Sequence, residues 1–198
     1  MGNKGSKGGA GALPKGCVER YKGVFSEPEL QALQGVFCSL GSKPDYVTVA
    51  EFLLLGGAAG APAAAAAGGS LFLQRVFKLF DVDADGKLSF DEFLGGVRSF
   101  APGASEAKVR FSFRLYAQRD AERISPADLR ELLAAVLAQS GVALSAPEVD
   151  SVVRLTFAQH DADKDGFISY AEYAHICAEN PTVLRNLTIN VQELISSA

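Results

Sequence analysis

A short pattern of apolar and polar positions recurs four times along the chain. It consists of an apolar residue, Ser or Thr, two further residues, an acidic residue and a final apolar or aromatic residue. Ser or Thr three residues before an acid forms a capping box, so each copy predicts the start of a helix. The copies are VTVAEF from Val47, LSFDEF from Leu88, ISPADL from Ile124 and ISYAEY from Ile168.

Helices are predicted on both sides of the loop that leads into each copy. Apolar and aromatic residues recur at helical spacing upstream of three copies, and further capping boxes at Ser26–Glu29 and Ser145–Glu148 predict the helices entering the first and fourth. Each repeat is therefore a helix, a loop, a short β-like segment and a second helix. This organisation predicts an all-α fold of four helix–loop–helix units. The entering helices are expected to include 71–80, 108–116 and 149–160.

The four units are expected to pair through their extended residues into two lobes. Val47 would pair with Leu88 and Ile124 with Ile168 through short β-segments, and APGAS (101–105) is typical of a linker. An alanine-rich insertion between units one and two predicts a surface loop, because its proline and glycines interrupt helix. The predicted boundaries are 1–22 for a flexible tail, 23–100 for the N-terminal lobe with the insertion 56–70, 104–180 for the C-terminal lobe and 181–198 for an amphipathic segment.

Two of the four loops carry acidic residues at a fixed spacing. The second loop (81–92) reads DVDADGKLSFDE, the fourth loop (161–172) reads DADKDGFISYAE, and both fit D-x-[DN]-x-[DN]-G-x5-E. Positions 1, 3 and 5 bring three carboxylates to one point, position 7 offers its backbone carbonyl, and Glu at position 12 closes the shell with two oxygens. Such a donor set favours Ca²⁺, with Mg²⁺ as a weaker occupant. The sequence therefore predicts two calcium sites.

The candidate ligands occupy equivalent positions in the two loops. A glycine at position 6, Gly86 or Gly166, permits the sharp turn around the ion. Clustered carboxylates repel one another without a cation, so we expect the empty loops to be unstable. The candidate metal ligands are Asp81, Asp83, Asp85, the carbonyl of Lys87 and Glu92 in the second loop, and Asp161, Asp163, Asp165, the carbonyl of Phe167 and Glu172 in the fourth loop.

The first loop (40–51) and the third loop (117–128) lack this donor set. The first loop has Leu, Ser and Pro at positions 1, 3 and 5, and the third loop has Arg119 at position 3, where a cation opposes calcium. Neither loop is expected to bind a metal ion. Both keep the apolar residue at position 8, which indicates a structural role, so each lobe would hold one working site and one degenerate partner.

The first sixteen residues are rich in Gly and Lys and contain no acidic residue. Such a segment buries too little surface to offset its ordering entropy, so we expect it to be flexible. Its start fits M-G-x-x-x-[ST], the pattern for N-terminal myristoylation, here at Gly2. One myristoyl chain binds membranes marginally, and the neighbouring lysines would add attraction to an anionic surface. The alternative is a solvated tail without a lipid. Cys17 is either a further acylation candidate or an ordinary residue.

Composition and charge argue against a nucleic-acid-binding protein, a membrane-spanning protein and an enzyme. The 198 residues carry a net charge of −4, unlike the basic face of a nucleic-acid-binding protein, so we expect no nucleic-acid partner. Three cysteines without metal-type spacing and no secretory segment predict a cytoplasmic protein, and no apolar run reaches the ~20 residues of a membrane span. His160 and His175 have no convincing nucleophile near them in sequence, so we expect no catalytic residues and no enzyme.

The loops and the N-terminal motif resemble those of the calcineurin B class of EF-hand proteins, which includes the calcineurin regulatory subunit and the plant calcineurin B-like sensors. The resemblance runs from about residue 24 to the end and is closest in FLQRVFKLFDVDADGKLSFDEFLGGV (72–97). NPTVLRNLTI (180–189) is similar to the segment after the fourth hand of the plant sensors. The chain departs from the class in its two degenerate loops, in its alanine tract and in lacking a phenylalanine-rich phosphorylation motif.

The resemblance implies a regulatory subunit or calcium sensor. The cysteine usage and the N-terminal motif add the expectation of a cytoplasmic protein with peripheral membrane association. Its partner would be an amphipathic helix of a protein phosphatase catalytic subunit or of a protein kinase, held in an apolar groove. The alternative function is a calcium buffer, which binds the ion without opening a groove. The C-terminal segment would either occupy that groove until a partner displaces it, or simply cap the C-terminal lobe.

Overall fold

The computed structural model describes residues 13–54, 63–99, 105–139 and 142–185. Helices flank each of the four loops, and each loop carries one short strand. No helix in these ranges is both long and apolar enough to cross a membrane. The helices are α1 (Cys17–Arg20), α2 (Glu27–Leu40), α3 (Val49–Leu54), α4 (Ala63–Phe80), α5 (Phe90–Arg98), α6 (Ser105–Tyr116), α7 (Pro126–Gln139), α8 (Ala146–His160), α9 (Tyr170–Glu179) and α10 (Thr182–Arg185). The strands are β1 (Tyr46–Thr48), β2 (Lys87–Ser89), β3 (Arg123–Ile124) and β4 (Ile168–Ser169).

Capping hydrogen bonds set where the helices after each loop begin. In the first repeat Thr48 donates its backbone N–H and its hydroxyl to Glu51, at 2.9 and 2.8 Å. In the third repeat Ser125 donates in the same way to Asp128, at 3.1 and 2.6 Å. Complete capping boxes also start α2, α5, α8 and α9. The helix starts that the Ser/Thr–acid spacing predicted are therefore confirmed.

The strands join the loops in pairs. β1 and β2 are antiparallel with Val47 opposite Leu88, and β3 and β4 are antiparallel with Ile124 opposite Ile168. All four side chains are at most 2% exposed. The pairing predicted from the recurring apolar position is confirmed, and the all-α fold of paired helix–loop–helix units is confirmed with it.

Two hydrophobic cores lie beneath the paired loops. The first gathers residues from α1 to α5, but it also includes Leu115 of α6 and Leu132 of α7. The rings of Phe80 and Phe111 meet with their centres 5.8 Å apart, and α4 packs along α7. The second core surrounds the β3–β4 pair. The two lobes therefore share a packed interface as well as their connecting segment.

The alanine-rich segment differs from our expectation. We predicted a surface loop over 56–70, but α4 begins at Ala63 and runs without interruption to Phe80, while 55–62 lie outside the described residues. Alanine has the highest helix propensity, and a glycine inside a helix costs only about 1 kcal/mol relative to it. Extending an existing helix also avoids the cost of a new nucleus. The packed C-terminal half of α4 can therefore propagate back through the alanines.

Part of the predicted flexible tail is folded. Residues 1–12 lie outside the described residues, but Cys17 and Tyr21 are buried in the first core, 2% and 6% exposed. The hydroxyl of Tyr21 donates to the carbonyl of Asp91 at 2.9 Å, and Arg20 pairs with the Asp91 carboxylate at 2.6 Å. Burial raises the pKa of the Cys17 thiol and shields its sulfur. The buried Cys17 sulfur therefore fits the alternative of an ordinary core residue.

The C-terminal segment begins as a short helix against the second core. Val183 and Leu184 of α10 pack on that core. The remainder of the predicted amphipathic segment, 186–198, lies outside the described residues.

Candidate metal centres

The aspartates of the second and fourth loops converge in the folded chain. In each loop three carboxylate oxygens, one from each aspartate, lie within 4.8 Å of one another. The side chain at position 1 is half-buried and the other two are exposed. The two clusters are Asp81, Asp83 and Asp85, and Asp161, Asp163 and Asp165.

Backbone N–H groups orient these carboxylates. In the second loop Asp81 accepts hydrogen bonds from the N–H groups of Asp85 and Gly86, at 3.2 and 3.0 Å. Asp83 also accepts from Asp85, at 3.1 Å, and Asp85 accepts from Lys87 at 2.7 Å. The fourth loop has the four equivalent bonds, between 2.8 and 3.2 Å. The loop backbone itself therefore holds the side chains that face its centre.

Two positions in each loop adopt left-handed backbone conformation. Gly86 and Gly166 have φ of 78° and 84°, which explains the glycine at position 6. Ala84 and Lys164, at position 4, also have positive φ, 57° and 60°. A side chain in this region costs roughly 1–2 kcal/mol. Position 4 was missed from the sequence, because the motif places no restriction on the residue there.

The glutamate at position 12 reaches from the exiting helix back to the start of its loop. One oxygen of Glu92 accepts the N–H of Val82 at 3.0 Å, and the other accepts the N–H and hydroxyl of Ser89 at 2.9 and 2.7 Å. Glu172 makes the equivalent bonds in the fourth loop. Partial burial by itself would raise the pKa of each glutamate, but these hydrogen bonds outweigh it and lower the pKa. Both side chains are therefore carboxylates at neutral pH.

The donor set of each loop suits a hard divalent cation. Four carboxylates and the backbone carbonyl of Lys87 or Phe167 at position 7 are all oxygen donors. No histidine or cysteine, which zinc and copper prefer, occurs in either loop. The residues present therefore fit calcium.

The first loop is closed by a hydroxyl group. Ser42 at position 3 donates its N–H and its hydroxyl to one oxygen of Glu51 at position 12, at 2.7 and 2.5 Å. The other Glu51 oxygen accepts from Thr48. The Ser42 hydroxyl, followed by the other hydrogen bonds, lowers the pKa of Glu51 to about 2. The acid that would complete a calcium shell is thus used within the loop.

The third loop is closed by a cation of its own. Arg119 at position 3 forms an ion pair with Asp128 at position 12, at 2.5 Å, and the Asp128 side chain is completely buried. This partner raises the pKa of Arg119. Arg119 also lies 3.4 Å from Glu131, which pairs at 2.9 Å with the buried Arg75 of α4. Arg119 was identified from the sequence as an obstacle to calcium, but its structural role was missed.

A cavity of about 510 Å³ opens beside the second loop, between α4, α5 and α6. Its floor is largely apolar, with basic side chains on α6 and acidic side chains on α5. Phe80 contributes both to this lining and to the first core, and most of the other aromatic residues lie in the cores. The cavity lining includes Leu79, Phe80, Phe111, Arg110, Arg114, Asp91 and Glu92. The aromatic residues buried in the cores include Phe77, Phe80, Phe90, Phe93, Phe113 and Tyr173.

Comparison with known proteins agrees with this geometry. Residues 72–100 match the family described as EF hand domain, and residues 153–176 match a family described as EF hand. The chain is also 35% identical over 171 residues to calcineurin B-like protein 5 of Arabidopsis thaliana, covering 83% of this chain and 80% of that protein. The chain belongs to the calcineurin B-like EF-hand family. The resemblance stated from the sequence is thereby confirmed.

A second relative extends the match over more of the chain. The type 1 calcineurin B subunit of Dictyostelium discoideum is 29% identical over 185 residues, covering 91% of this chain and 96% of that protein. The two EF-hand matches contain the second and fourth loops, where the aspartates converge. Family membership and these matches indicate a calcium-binding sensor protein.

Proposed function

We propose that this calcineurin B-like protein holds two calcium ions, in the second and fourth loops, and regulates a partner enzyme without being an enzyme itself. The observation that carries the proposal is the convergence of three aspartates in each loop, with a glutamate from the exiting helix at the same loop's edge. The EF-hand matches over both loops support it. The proposed ligands are those that the D-x-[DN]-x-[DN]-G-x5-E pattern named.

The proposed ligands also connect the ion to the helices. Calcium, when bound, would supply the positive charge that offsets repulsion among the carboxylates. Glu92 lies in α5 and Glu172 in α9. Because each glutamate bonds to its loop, a change in its bonds is transmitted to the exiting helix. Sensor EF-hands open in this way, by changing the angle between entering and exiting helices.

The proposed partner is an amphipathic helix of a protein phosphatase catalytic subunit or a protein kinase. The cavity between α4, α5 and α6 supports this, since it combines an apolar floor with charged edges. One relative is named as a subunit of calcineurin and the other as calcineurin B-like, which supports a partner enzyme for this chain. A pull-down from the native extract with and without a calcium chelator would identify the partner.

Calorimetry and NMR test the two proposed ion sites. Calcium titrated into the purified full chain should bind at two sites, in the sensor range of about 10⁻⁷ to 10⁻⁵ M. The amide signals of Gly86 and Gly166 should each shift with the titration, because these N–H groups donate to the first aspartate of their loops. No heat and no shift at millimolar calcium would overturn the proposal.

A dye that fluoresces on apolar surface separates a sensor from a buffer. A sensor should show a calcium-dependent rise in dye fluorescence as its groove opens, whereas a buffer should show little change. Magnesium serves as the control ion, since it demands a smaller and more regular shell. An unchanged signal at saturating calcium would favour the buffer.

We further propose that Gly2, which lies outside the described residues, carries a myristoyl group that gives peripheral membrane association from the cytoplasm. Co-expression with an N-myristoyltransferase should add the acyl mass to the wild type and not to Gly2→Ala. The acylated chain should bind vesicles that contain anionic lipid more strongly than neutral vesicles, because lysines follow the lipid. Equal vesicle binding by both proteins would contradict this proposal.

Two truncations distinguish the proposed roles of the C-terminal segment. Deleting 186–198 keeps the packed Val183 and Leu184, whereas deleting 182–198 removes them from the second core. If the segment occupies the groove, the shorter deletion should tighten binding of a helical peptide without lowering stability. If it only caps the lobe, peptide affinity should stay the same and the longer deletion should lower stability.

A further inference from the structure

The side chains at position 7 of the paired loops stack on each other in both lobes. In the C-terminal lobe the guanidinium of Arg123 lies 3.9 Å from the centre of the Phe167 ring. In the N-terminal lobe the ammonium of Lys87 lies 5.1 Å from the centre of the Tyr46 ring. A cation over an aromatic face is attracted to it. The cation is in the third, degenerate loop in one lobe and in the second, calcium-type loop in the other (the calcium-type loops are the second and fourth). The contact therefore depends on position 7 and not on which of the two loops carries the cation.

Phe167 occupies a place where a small movement changes the proposed ligand set. Position 7 contributes a backbone carbonyl, whose direction depends on the local backbone. The N–H of Phe167 donates to Asp165 at 2.8 Å, and the residues that follow form β4. Its own loop therefore fixes the Phe167 backbone from one side. The third loop, through Arg123, fixes its side chain from the other.

Arg123 is itself held in one orientation by the third loop. Asp120 pairs with the Nε of Arg123 at 2.7 Å and accepts the N–H of Glu122 at 3.0 Å. Asp120 and Arg123 also form a β-bridge. The ion pair of Arg119 with Asp128 closes the same loop. None of these contacts needs a metal ion, so the guanidinium is presented to Phe167 in the calcium-free chain.

We propose that Arg123 is a positioning residue for calcium binding in the fourth loop: from a loop that binds no ion, it holds Phe167 and thereby aims the carbonyl ligand at position 7. Tyr46 has the same role towards Lys87 in the second loop. This inference rests on the proposed function, because it assumes that both loops bind calcium. Holding a ligand in place before binding reduces the ordering cost of binding and so raises affinity.

The charge of Arg123 and its positioning role predict opposite changes in calcium affinity when the side chain is removed. A cation near a calcium site repels the ion, so its removal in Arg123→Ala would strengthen binding if charge were its only effect. The positioning role predicts the opposite, a weakening of about twofold to fivefold, as expected from one cation–π contact. Arg123→Lys keeps the charge but lacks the planar stack. The calcium affinity of its fourth loop should therefore lie between those of the wild type and Arg123→Ala.

The experiment is a calcium titration of the full chain followed by amide NMR. Gly166 reports the fourth loop and Gly86 the second, and each serves as the other's internal control. Arg123→Ala should weaken binding at Gly166 and leave Gly86 unchanged. Tyr46→Ala should weaken binding at Gly86 and leave Gly166 unchanged. Melting curves without calcium check that each variant is folded.

A second readout needs no calcium at all. In the calcium-free chain the ¹⁵N order parameter of Phe167 should fall in Arg123→Ala, while that of Lys87 stays the same. A general loss of stability would lower order throughout the lobe instead, which would contradict a positioning role.

The outcomes separate this inference from the proposed function. A wild type that shows no shift at either glycine would overturn the two-site proposal. A wild type that binds at both sites, together with unchanged or stronger binding at Gly166 in Arg123→Ala, would overturn the role of Arg123 and leave the sensor proposal standing.

Discussion

The four loops have a short strand and a helix cap in common but differ in the groups that contact the acid at position 12. Each carries a short strand and has a capping Ser or Thr at position 9 and an acid at position 12. In the second and fourth loops three aspartates converge in front of that acid. In the first loop the hydroxyl of Ser42 binds it, and in the third the guanidinium of Arg119 does. The acid at position 12 is thus part of the scaffold in all four loops.

This difference gives the first and third loops a structural role that does not depend on a metal ion. Their closure depends on hydrogen bonds and an ion pair within the chain, so it is present at every calcium concentration. Each supplies one strand of a pair whose other strand belongs to a calcium-type loop. A degenerate loop is therefore a support that needs no metal ion, and under the two-site proposal its neighbour is the loop that responds to calcium.

We expect the strongest effect from a substitution at position 12 of the second or fourth loop. Glu92→Gln should weaken calcium binding at the second loop by about 100-fold, because a charged two-oxygen ligand becomes a neutral one. Glu51→Gln, the same change in the first loop, should leave both calcium affinities within about twofold. Titration followed at Gly86 and Gly166 measures both variants. A comparable loss of calcium affinity in Glu51→Gln would contradict the different roles of position 12 in the first and second loops.

Removing the internal cation should show what closes the third loop. Arg119→Ala leaves the buried carboxylate of Asp128 without its ion-pair partner, and an uncompensated buried charge is strongly unfavourable. The melting temperature of the calcium-free chain should fall clearly. Arg154→Ala, which removes an exposed arginine bonded to Ser151 of its own helix, should change it little. Equal melting temperatures for the two variants would refute this account of the third loop.

Two adjacent glycines on α5, Gly95 and Gly96, distinguish the second unit from the fourth. A Cβ at Gly96 would overlap the buried Phe80 ring, whereas nothing lies within 4 Å of a Cβ at Gly95. Gly96→Ala should therefore lower the free energy of unfolding by about 1–3 kcal/mol. Gly95→Ala should raise it by up to about 1 kcal/mol through helix propensity. The equivalent of Gly96 in the fourth unit is Ile176, so the close approach is specific to unit two.

Urea denaturation of both variants gives the two values. The close approach of Phe80 would be disproved if Gly96→Ala proved as stable as Gly95→Ala.

The smallest effect is a pH dependence of the first loop. The hydrogen bonds to Glu51 lower its pKa to about 2 from the usual 4.5. Because the folded value is the lower one, ionised Glu51 stabilises the fold above pH 4.5, and this contribution is lost as pH falls towards 2. Urea denaturation in the presence of a chelator should show a shallower dependence on pH in Glu51→Gln. Parallel curves for the variant and the wild type would count against the Ser42–Glu51 closure.

The partners of the short strands were predicted from the apolar residue that recurs at position 8 of every loop. The helix starts and the candidate ligands could be predicted because both depend on short spacings. A capping box spans four residues and the acidic pattern spans twelve, so neither requires knowledge of distant contacts. The alanine-rich segment was predicted as a loop, but from Ala63 onward it is helical because it extends the packed half of α4. Cys17 and Tyr21 were wrongly assigned to a flexible tail because the residues before them are rich in glycine. Their burial depends on contacts with the first core, which the local composition does not reveal.

Local periodicity and spacing specified the four repeats and the two sets of converging carboxylates, and the recurrence of the repeat specified the strand partners. Only the folded backbone fixed what replaces an ion in the degenerate loops, how α4 meets α7 and which side chains face one another at position 7. Arg119 with Asp128, and Arg123 with Phe167, come together through loop closure and strand pairing. The physical reason is that an ion pair or a ring contact depends on distances in space, which become fixed when the backbone folds.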